Sequence, residues 1–362
     1  MSGGGKAYEP MGREQMTTTT SVMRSEIAEQ PDALRRTLDA LLPQSAEIAA
    51  LAQQTRQVLF IARGSSDNAA VYGGYLLQAH AGRLATLASP SIATTYGAKV
   101  DLSGVLAVAI SQSGRTEEIV DTMTWAADCG ARTVGITNGA GSPIAETADV
   151  ALVTRAGDEL AVPATKTYTT QLAALAVLAL GLGAELGADE LNRVPDAIEE
   201  TLAEPGEQLD EIVERLVGVH GAVVSGRGMA FSTALEAALK LKEACYLHAM
   251  GLSYADLLHG PIAVVDAETP AILVAAGSGP TLQGTVALAE RVVANGAPAY
   301  GIGGGSALAG ACDLCLPAPD LPEWLAPISL IVPAQLITER LARRLGYDPD
   351  APRGLGKVTQ TS

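Results

Sequence analysis

With 362 residues, 48% of them hydrophobic, the chain has enough apolar material for two domains of ordinary size, and global disorder is excluded. A formal net charge of -16 argues against nucleic acid as a partner, and the same field repels phosphorylated ligands, so any phosphate has to be held locally by N–H groups and hydroxyls. The four cysteines (Cys129, Cys245, Cys312, Cys315) are too few for a disulfide framework, and the single CxxC at Cys312 and Cys315 has no second pair or nearby histidine, so no metal is expected.

In chain order, residues 1–20 are rich in Gly, Ser and Thr and read as a disordered tail, followed by a helical segment over 21–45 with patterns from Glu26 to Gln30 and from Ala33 to Leu42. Apolar runs then predict strands at Gln57–Ala62, Val105–Ile110, Arg132–Ile136 and Val150–Thr154, with helices between them, one of them from Glu118 to Ala127. The longest apolar stretch, Leu172 to Ala184, is too short and too rich in Gly and Ala to span a membrane comfortably and predicts a buried helix. No apolar leader core precedes it, so a cytoplasmic location with no membrane partner is expected.

The alternation then recurs. Strands are predicted at Gly221–Ser225, Ala271–Ala275, Ala299–Ile302 and Asp313–Leu316. Arg63 matches Arg227, Ser113 matches Ser278 and Gly135 matches Gly301, all at a shift of about 165 residues, which suggests an internal duplication. The expected fold is α/β: two tandem doubly wound, flavodoxin- or Rossmann-like domains with parallel sheets, plus an N-terminal helix and a C-terminal tail. The expected division is 46–190, a linker at 191–210, 211–345, and a lid-like tail at 346–362.

The most informative segment is Ser111-Gln112-Ser113-Gly114-Arg115-Thr116-Glu117-Glu118, between a strand and a helix. The first N–H groups of a helix have no internal partner and point at whatever sits there. Ser111, Ser113 and Thr116 add hydroxyl donors, and Gly114 allows close backbone approach, so phosphate is the expected occupant. Arg63-Gly64-Ser65-Ser66 and Ala164-Thr165-Lys166-Thr167 are two further turns of this kind. The second copy offers Ala276, Gly277, Ser278 and Pro280 and has lost donors, so one working site is expected, in the first half.

The second half supplies a helix predicted over Ser232–His248 in which Glu236, Lys240 and Glu243, spaced by four and three, share one face. Buried, such a row tunes proton affinity as acid–base chemistry requires; exposed, the same spacing is an ordinary salt-bridged face. His259, in a Gly-Pro turn, suits a proton shuttle as well as a structural role. His80, His220 and His248 receive no functional assignment.

These residues fall in motifs that resemble the isomerase half of glucosamine-6-phosphate synthase and, more broadly, the tandem sugar-isomerase-domain (SIS) proteins that bind phosphosugars. The motifs are SQSGRTEE from Ser111, PATKTYTTQL from Pro163, ALEAALKLKEACYLHA from Ala234, LLHGP from Leu257 and the C-terminal Lys357; the likeness runs from about Glu26 to Lys357. The resemblance implies that Ser111, Gln112, Ser113 and Thr116 hold a sugar phosphate, with Ser65, Ser66, Val162 and Ala164 around the ligand. It implies that Glu243 moves the proton between C1 and C2, supported by Glu236 and Lys240. It also implies that His259 assists ring opening across a homodimer interface, and that Lys357 sits over the open-chain sugar and could form an imine. No cofactor is implied.

Some positions depart from the synthase. Arg63-Gly64-Ser65-Ser66 stands where that family has a Cys-Gly-Thr-Ser type of turn, Ala164 where it has serine, and Leu258 where it has lysine. The glutaminase domain and its cysteine nucleophile are not seen, since the first cysteine is Cys129. The segments Ala62–Ala70 and Ser89–Tyr96 look similar to glutaminase-free glucosamine-6-phosphate deaminases. The expected reaction is therefore conversion of glucosamine 6-phosphate to fructose 6-phosphate and ammonia. The alternatives are an ammonia-dependent aminotransferase, a deglycase or isomerase acting on another phosphosugar, and a non-catalytic sugar-phosphate sensor.

Overall fold

The computed structural model describes residues 20–357, so the expected N-terminal tail, apart from Thr20, lies outside the described residues. The first described helix, α1 (Val22–Ala28), starts where the Ser21 hydroxyl accepts from Arg24 N–H. In α2 (Gln30–Leu41), Pro31 fits the first turn, where its missing N–H costs nothing, and Ala33, Leu34, Thr37, Leu38 and Leu41 form the buried stripe.

The first half continues through α3 (Ser45–Ala52), β1 (Gln57–Ile61), α4 (Ser65–His80), β2 (Leu84–Leu87), α5 (Ser91–Thr94), β3 (Val105–Ile110), α6 (Glu117–Asp128), β4 (Arg132–Thr137), α7 (Pro143–Thr147), β5 (Val150–Val153) and α8 (Lys166–Gly181). After α9 (Val194–Ala203) and α10 (Leu209–Leu216) the second half runs β6 (Gly221–Gly226), α11 (Ala230–Cys245), β7 (His248–Ser253), α12 (Tyr254–Leu258), β8 (Ala271–Ala275), α13 (Leu282–Ala294), β9 (Ala299–Gly303), α14 (Gly305–Ala309), β10 (Leu314–Leu316) and α15 (Ala326–Arg344).

The strands form two parallel five-stranded sheets, ordered β2-β1-β3-β4-β5 and β7-β6-β8-β9-β10. Renumbered within each half, both orders are 2-1-3-4-5, the doubly wound arrangement whose strand order reverses beside the first strand. Helices on both faces account for near-continuous apolar strands such as β3, buried from Leu106 to Ile110. The α/β duplication read from the sequence is thus present in the topology. Among the described residues, no helix is long and apolar enough to cross a membrane. The Leu172–Ala184 run belongs mostly to α8, which is buried on all sides between α2, α4 and α15.

The structure corrects three sequence expectations. Strands β2 and β7 are not in the predicted set, because each is an edge strand with mixed exposure and neither carries an uninterrupted apolar run. The helix expected to reach His248 stops at Cys245, and His248 opens β7 instead. Tyr246 adopts a left-handed φ of 56°, uncommon for a residue with a Cβ. Its ring is held by Tyr347, edge-on at 4.8 Å, and by the Arg353 guanidinium 4.1 Å above it. The chain's last segment, far away in sequence, provides both partners and so helps fix the end of α11.

The equivalent helices α4 and α11, each 16 residues long, pack against each other. Asn68 Nδ2 donates to Glu236 Oε2 at 2.8 Å, and Tyr72 OH donates to the Trp324 carbonyl at 2.7 Å. This packing carries the Glu/Lys row of the second half to the mouth of the first sheet.

Candidate functional site

Two turns at the carboxyl ends of β1 and β3 build the first cavity, at the reversal point of the first sheet. Gly64 caps α4 with φ 59° and ψ -131°, a conformation that side-chain-bearing residues avoid. Gly114 has φ 63°, and a Cβ there would lie 2.1 Å from Ser142 Oγ and 2.7 Å from Thr137 Oγ1, so only glycine fits. Between the turns lies a cavity of about 330 Å³ lined by Arg63, Ser66, Ser111, Gln112, Ser113 and Thr116, among others, with Lys357 on its far side. Ser111 Oγ accepts from Gly114 N–H at 3.2 Å, and Ser113 Oγ accepts from Arg115 N–H at 3.2 Å. With those lone pairs engaged, each hydroxyl can turn its proton toward an anion.

A second cavity, of about 170 Å³, shares Gln112 and Lys357 with the first, so the two form one bent cleft. It is lined by Ser65, Glu159, Val162, Ala164, Lys240 and Glu243, with Leu355 and Gly356 from the C-terminal segment. Lys240 Nζ lies 2.5 Å from Glu243 Oε2, 3.4 Å from Glu236 Oε1 and 3.2 Å from Ser65 Oγ. Glu236 and Lys240 are buried, at 0% and 1% side-chain exposure, while Glu243 at 21% faces the cleft. Burial pushes the Glu236 carboxyl above its ordinary range; Lys240 opposes the rise and Glu243 adds to it. Burial pulls Lys240 down, but the carboxylates on either side outweigh it and hold the ammonium above its ordinary range. The row is therefore the buried alternative of the two that the spacing left open. It holds one fixed cation against a carboxylate at the edge of the cleft, an arrangement suited to moving a proton on a bound ligand.

The structure gathers twelve of the thirteen sequence-derived positions around this cleft: Ser65, Ser66, Ser111, Gln112, Ser113, Thr116, Val162, Ala164, Lys240, Glu243 and Lys357 line it, and Glu236 lies directly behind Lys240. His259 is the exception. It caps the end of α12, is exposed, and lines neither cavity of its own chain.

Sequence reasoning missed Glu159. Its fully buried carboxylate accepts from Thr165 N–H at 2.9 Å, Thr167 N–H at 3.0 Å, Thr167 Oγ1 at 2.6 Å and Lys357 Nζ at 2.8 Å. Burial acts to raise its pKa, but the Lys357 ammonium and the Thr167 donors outweigh it and hold the carboxyl below its ordinary range. This corrects the third anion turn: the first N–H groups at Ala164-Thr165-Lys166-Thr167 hold an internal carboxylate, and Lys166 is buried against Glu29 at 2.5 Å. The only sequence signal was an acidic residue shortly before a threonine-rich helix start.

The model of the SIS domain family matches residues 50–181 and again 216–342. Over 342 residues the chain is 35% identical to the glutamine–fructose-6-phosphate aminotransferase (isomerizing) of Pyrococcus horikoshii, covering 92% of this chain and 57% of that protein. The chain thus spans little more than half the length of that curated relative. The C-terminal domain of glucosamine-fructose-6-phosphate aminotransferase from Francisella tularensis superposes with a TM-score of 0.84 at 28% identity, over 92% of this chain and 99% of that one. Glucosamine-6-phosphate deaminase from Thermotoga maritima shares the fold, with a TM-score of 0.76 at 24% identity over 94% of this chain and 100% of that one.

Proposed function

The chain belongs to the SIS domain family, and from that premise we propose that it is a phosphosugar aldose–ketose isomerase that deaminates glucosamine 6-phosphate to fructose 6-phosphate and ammonia. The observation that carries this reading is the bent cleft itself: a hydroxyl-lined cradle joins, through Gln112 and Lys357, a pocket that holds the Glu243 carboxylate. In the proposed mechanism, Ser111, Gln112, Ser113 and Thr116 grip the phosphate, and the open-chain sugar reaches from there toward Glu243. Anchoring the remote phosphate places C1 and C2 against the base, so binding energy far from the reacting carbons assists the chemistry.

Glu243 removes the C2 proton and returns it to C1, while the C2 amino group loses one N–H proton and the C1 carbonyl oxygen gains one, so that C2 carries an imine and C1 a hydroxyl. The nitrogen left double-bonded to C2 is displaced by water, releasing ammonia and leaving the ketose. Lys240 keeps a positive charge beside Glu243, its Nζ 2.5 Å from Oε2. Lys357 lines both cavities, and the proposal puts it over the open-chain sugar. His259, which lines neither cavity of its own chain, is assigned to ring opening in the cleft of a second copy, which makes a homodimer part of the proposal. The division into units 46–190 and 211–345 belongs to it as well.

The purified chain is expected to release ammonia and fructose 6-phosphate from glucosamine 6-phosphate without added cofactor, read by coupled ammonia detection. No release across a panel of amino sugar phosphates rejects the deaminase reading. The likeness to the Pyrococcus horikoshii aminotransferase favours a second reading, in which the same cleft works in the aminating direction. Glucosamine 6-phosphate formed from fructose 6-phosphate and ammonium, in preference to deamination, would decide for it.

A further inference from the structure

We propose that Arg63 grips the ligand's phosphate and sets the preference for phosphorylated sugars, and that Glu118 holds its guanidinium in place until the ligand enters. The inference rests on the reading of the larger cavity as the phosphate site. Arg63 Nε and Nη2 donate to Glu118 Oε2 and Oε1, both at 2.9 Å, in a fork that bridges the β1 turn and the start of α6. The pair thus joins the two turns that form the cradle.

Charge gives this pair its importance. The first turn of α6 carries two carboxylates, Glu117 and Glu118, which suit the positive end of the helix but repel an anion bound at the same end. The net charge of -16 adds to that repulsion. Of the residues lining the cavity, only Arg63 and Lys357 carry a basic side chain, and the Lys357 ammonium is held at 2.8 Å by Glu159 and at 2.6 Å by the Ala161 carbonyl. Arg63 is 49% exposed and Glu118 is 12% exposed, so the arginine is the partner with room to move and the carboxylate is the anchored one. A guanidinium has five donors in a planar fork, and the ion pair with Glu118 uses two of them. Phosphate binds such a fork in two-pronged fashion.

The second half provides an internal control. Arg227 occupies the position equivalent to Arg63, yet it lies 5.3 Å over the Tyr254 ring, and the residue equivalent to Glu118 is Gln283. The charge pair accompanies the cradle that keeps its donors and is missing from the copy that has lost them.

The test is calorimetric binding of glucitol 6-phosphate and of unphosphorylated glucitol to the full chain and to R63M, E118Q, R63M/E118Q and S113A. R63M is expected to weaken glucitol 6-phosphate by about 10- to 100-fold, as losing a charge-assisted hydrogen bond does, with glucitol unaffected. The double variant is expected to bind more tightly than R63M, because it also lacks the repelling carboxylate. Unchanged binding in R63M alongside weakened binding in S113A overturns the proposal and leaves the phosphate site intact. Unchanged binding in both overturns the phosphate reading itself. A double variant no better than R63M overturns the role given to Glu118.

Discussion

The turns after β3 and β8 occupy equivalent places in the two halves, but different groups meet them. After β3, Ser111, Gln112, Ser113 and Thr116 line a cavity of about 330 Å³. After β8, the chain's own Glu323 reaches into the corresponding place. Thr281, the counterpart of Thr116, donates to Glu323 Oε1 at 3.1 Å, and a Cβ on Gly279 would lie 2.8 Å from Glu323 Oε2. Glu159 does the same at the start of α8, where its carboxylate takes two backbone N–H groups. A strand-to-helix turn of this geometry attracts negative charge wherever it occurs. The duplication kept the geometry in both halves, and side chains decided which turn is satisfied internally and which remains available to a ligand.

The proposed function gives the halves unlike tasks, binding to the first and proton transfer to α11 of the second. The strongest attack on that division is Glu243→Gln, expected to lower turnover by at least about 100-fold, the smaller end of what a positioned acid–base group supplies, with phosphosugar affinity nearly unchanged. Steady-state kinetics beside calorimetry measures both, and undiminished turnover removes the second half from the chemistry. Next in size is Lys240→Met, which leaves two carboxylates close together without their cation. Breaking a buried pair from one side costs about 3–5 kcal/mol, to be read as a lower denaturation midpoint in urea. A stability equal to that of the parent chain would mean that Glu236 takes up a proton at no cost. Ser113→Ala sharpens the other side of the division: it is expected to weaken ligand binding by about 1.5–3 kcal/mol with little effect on kcat once the cleft is saturated. The smallest effect is expected from Glu323→Ala. Calorimetry should still count one phosphosugar per chain, because Ala276 and Gly277 cannot replace the donors of Ser111 and Gln112. A second bound ligand would show that the internal carboxylate alone separates the two copies.

Much of this was legible in the sequence for identifiable reasons. Strands buried on both faces, such as β3 and β8, must be apolar throughout, and both were read to the residue. Turns that need a left-handed backbone require glycine, which marks Gly64 and Gly114. The spacing of Glu236, Lys240 and Glu243 placed them on one face, though the same spacing fits a solvated helix, and only the packing of α11 on α4 decides between the two. Edge strands β2 and β7 escaped because an exposed edge places little demand on composition.

By itself, then, the sequence determined the doubly wound duplication and the place of the glycine turn that lines the first cavity, because periodicity and glycine placement are local requirements written residue by residue. Three matters were decided only by tertiary structure: that the second half's Glu/Lys row lies beside the first half's cradle, that Glu159 accepts from the first N–H groups of α8, and that Arg63 meets Glu118. Each depends on polar or charged groups being brought within hydrogen-bonding distance by packing, across six to eight residues for Glu159 and the start of α8 and across 55 or more for Arg63 with Glu118 and for Asn68 with Glu236, and no local pattern records which groups burial will force together.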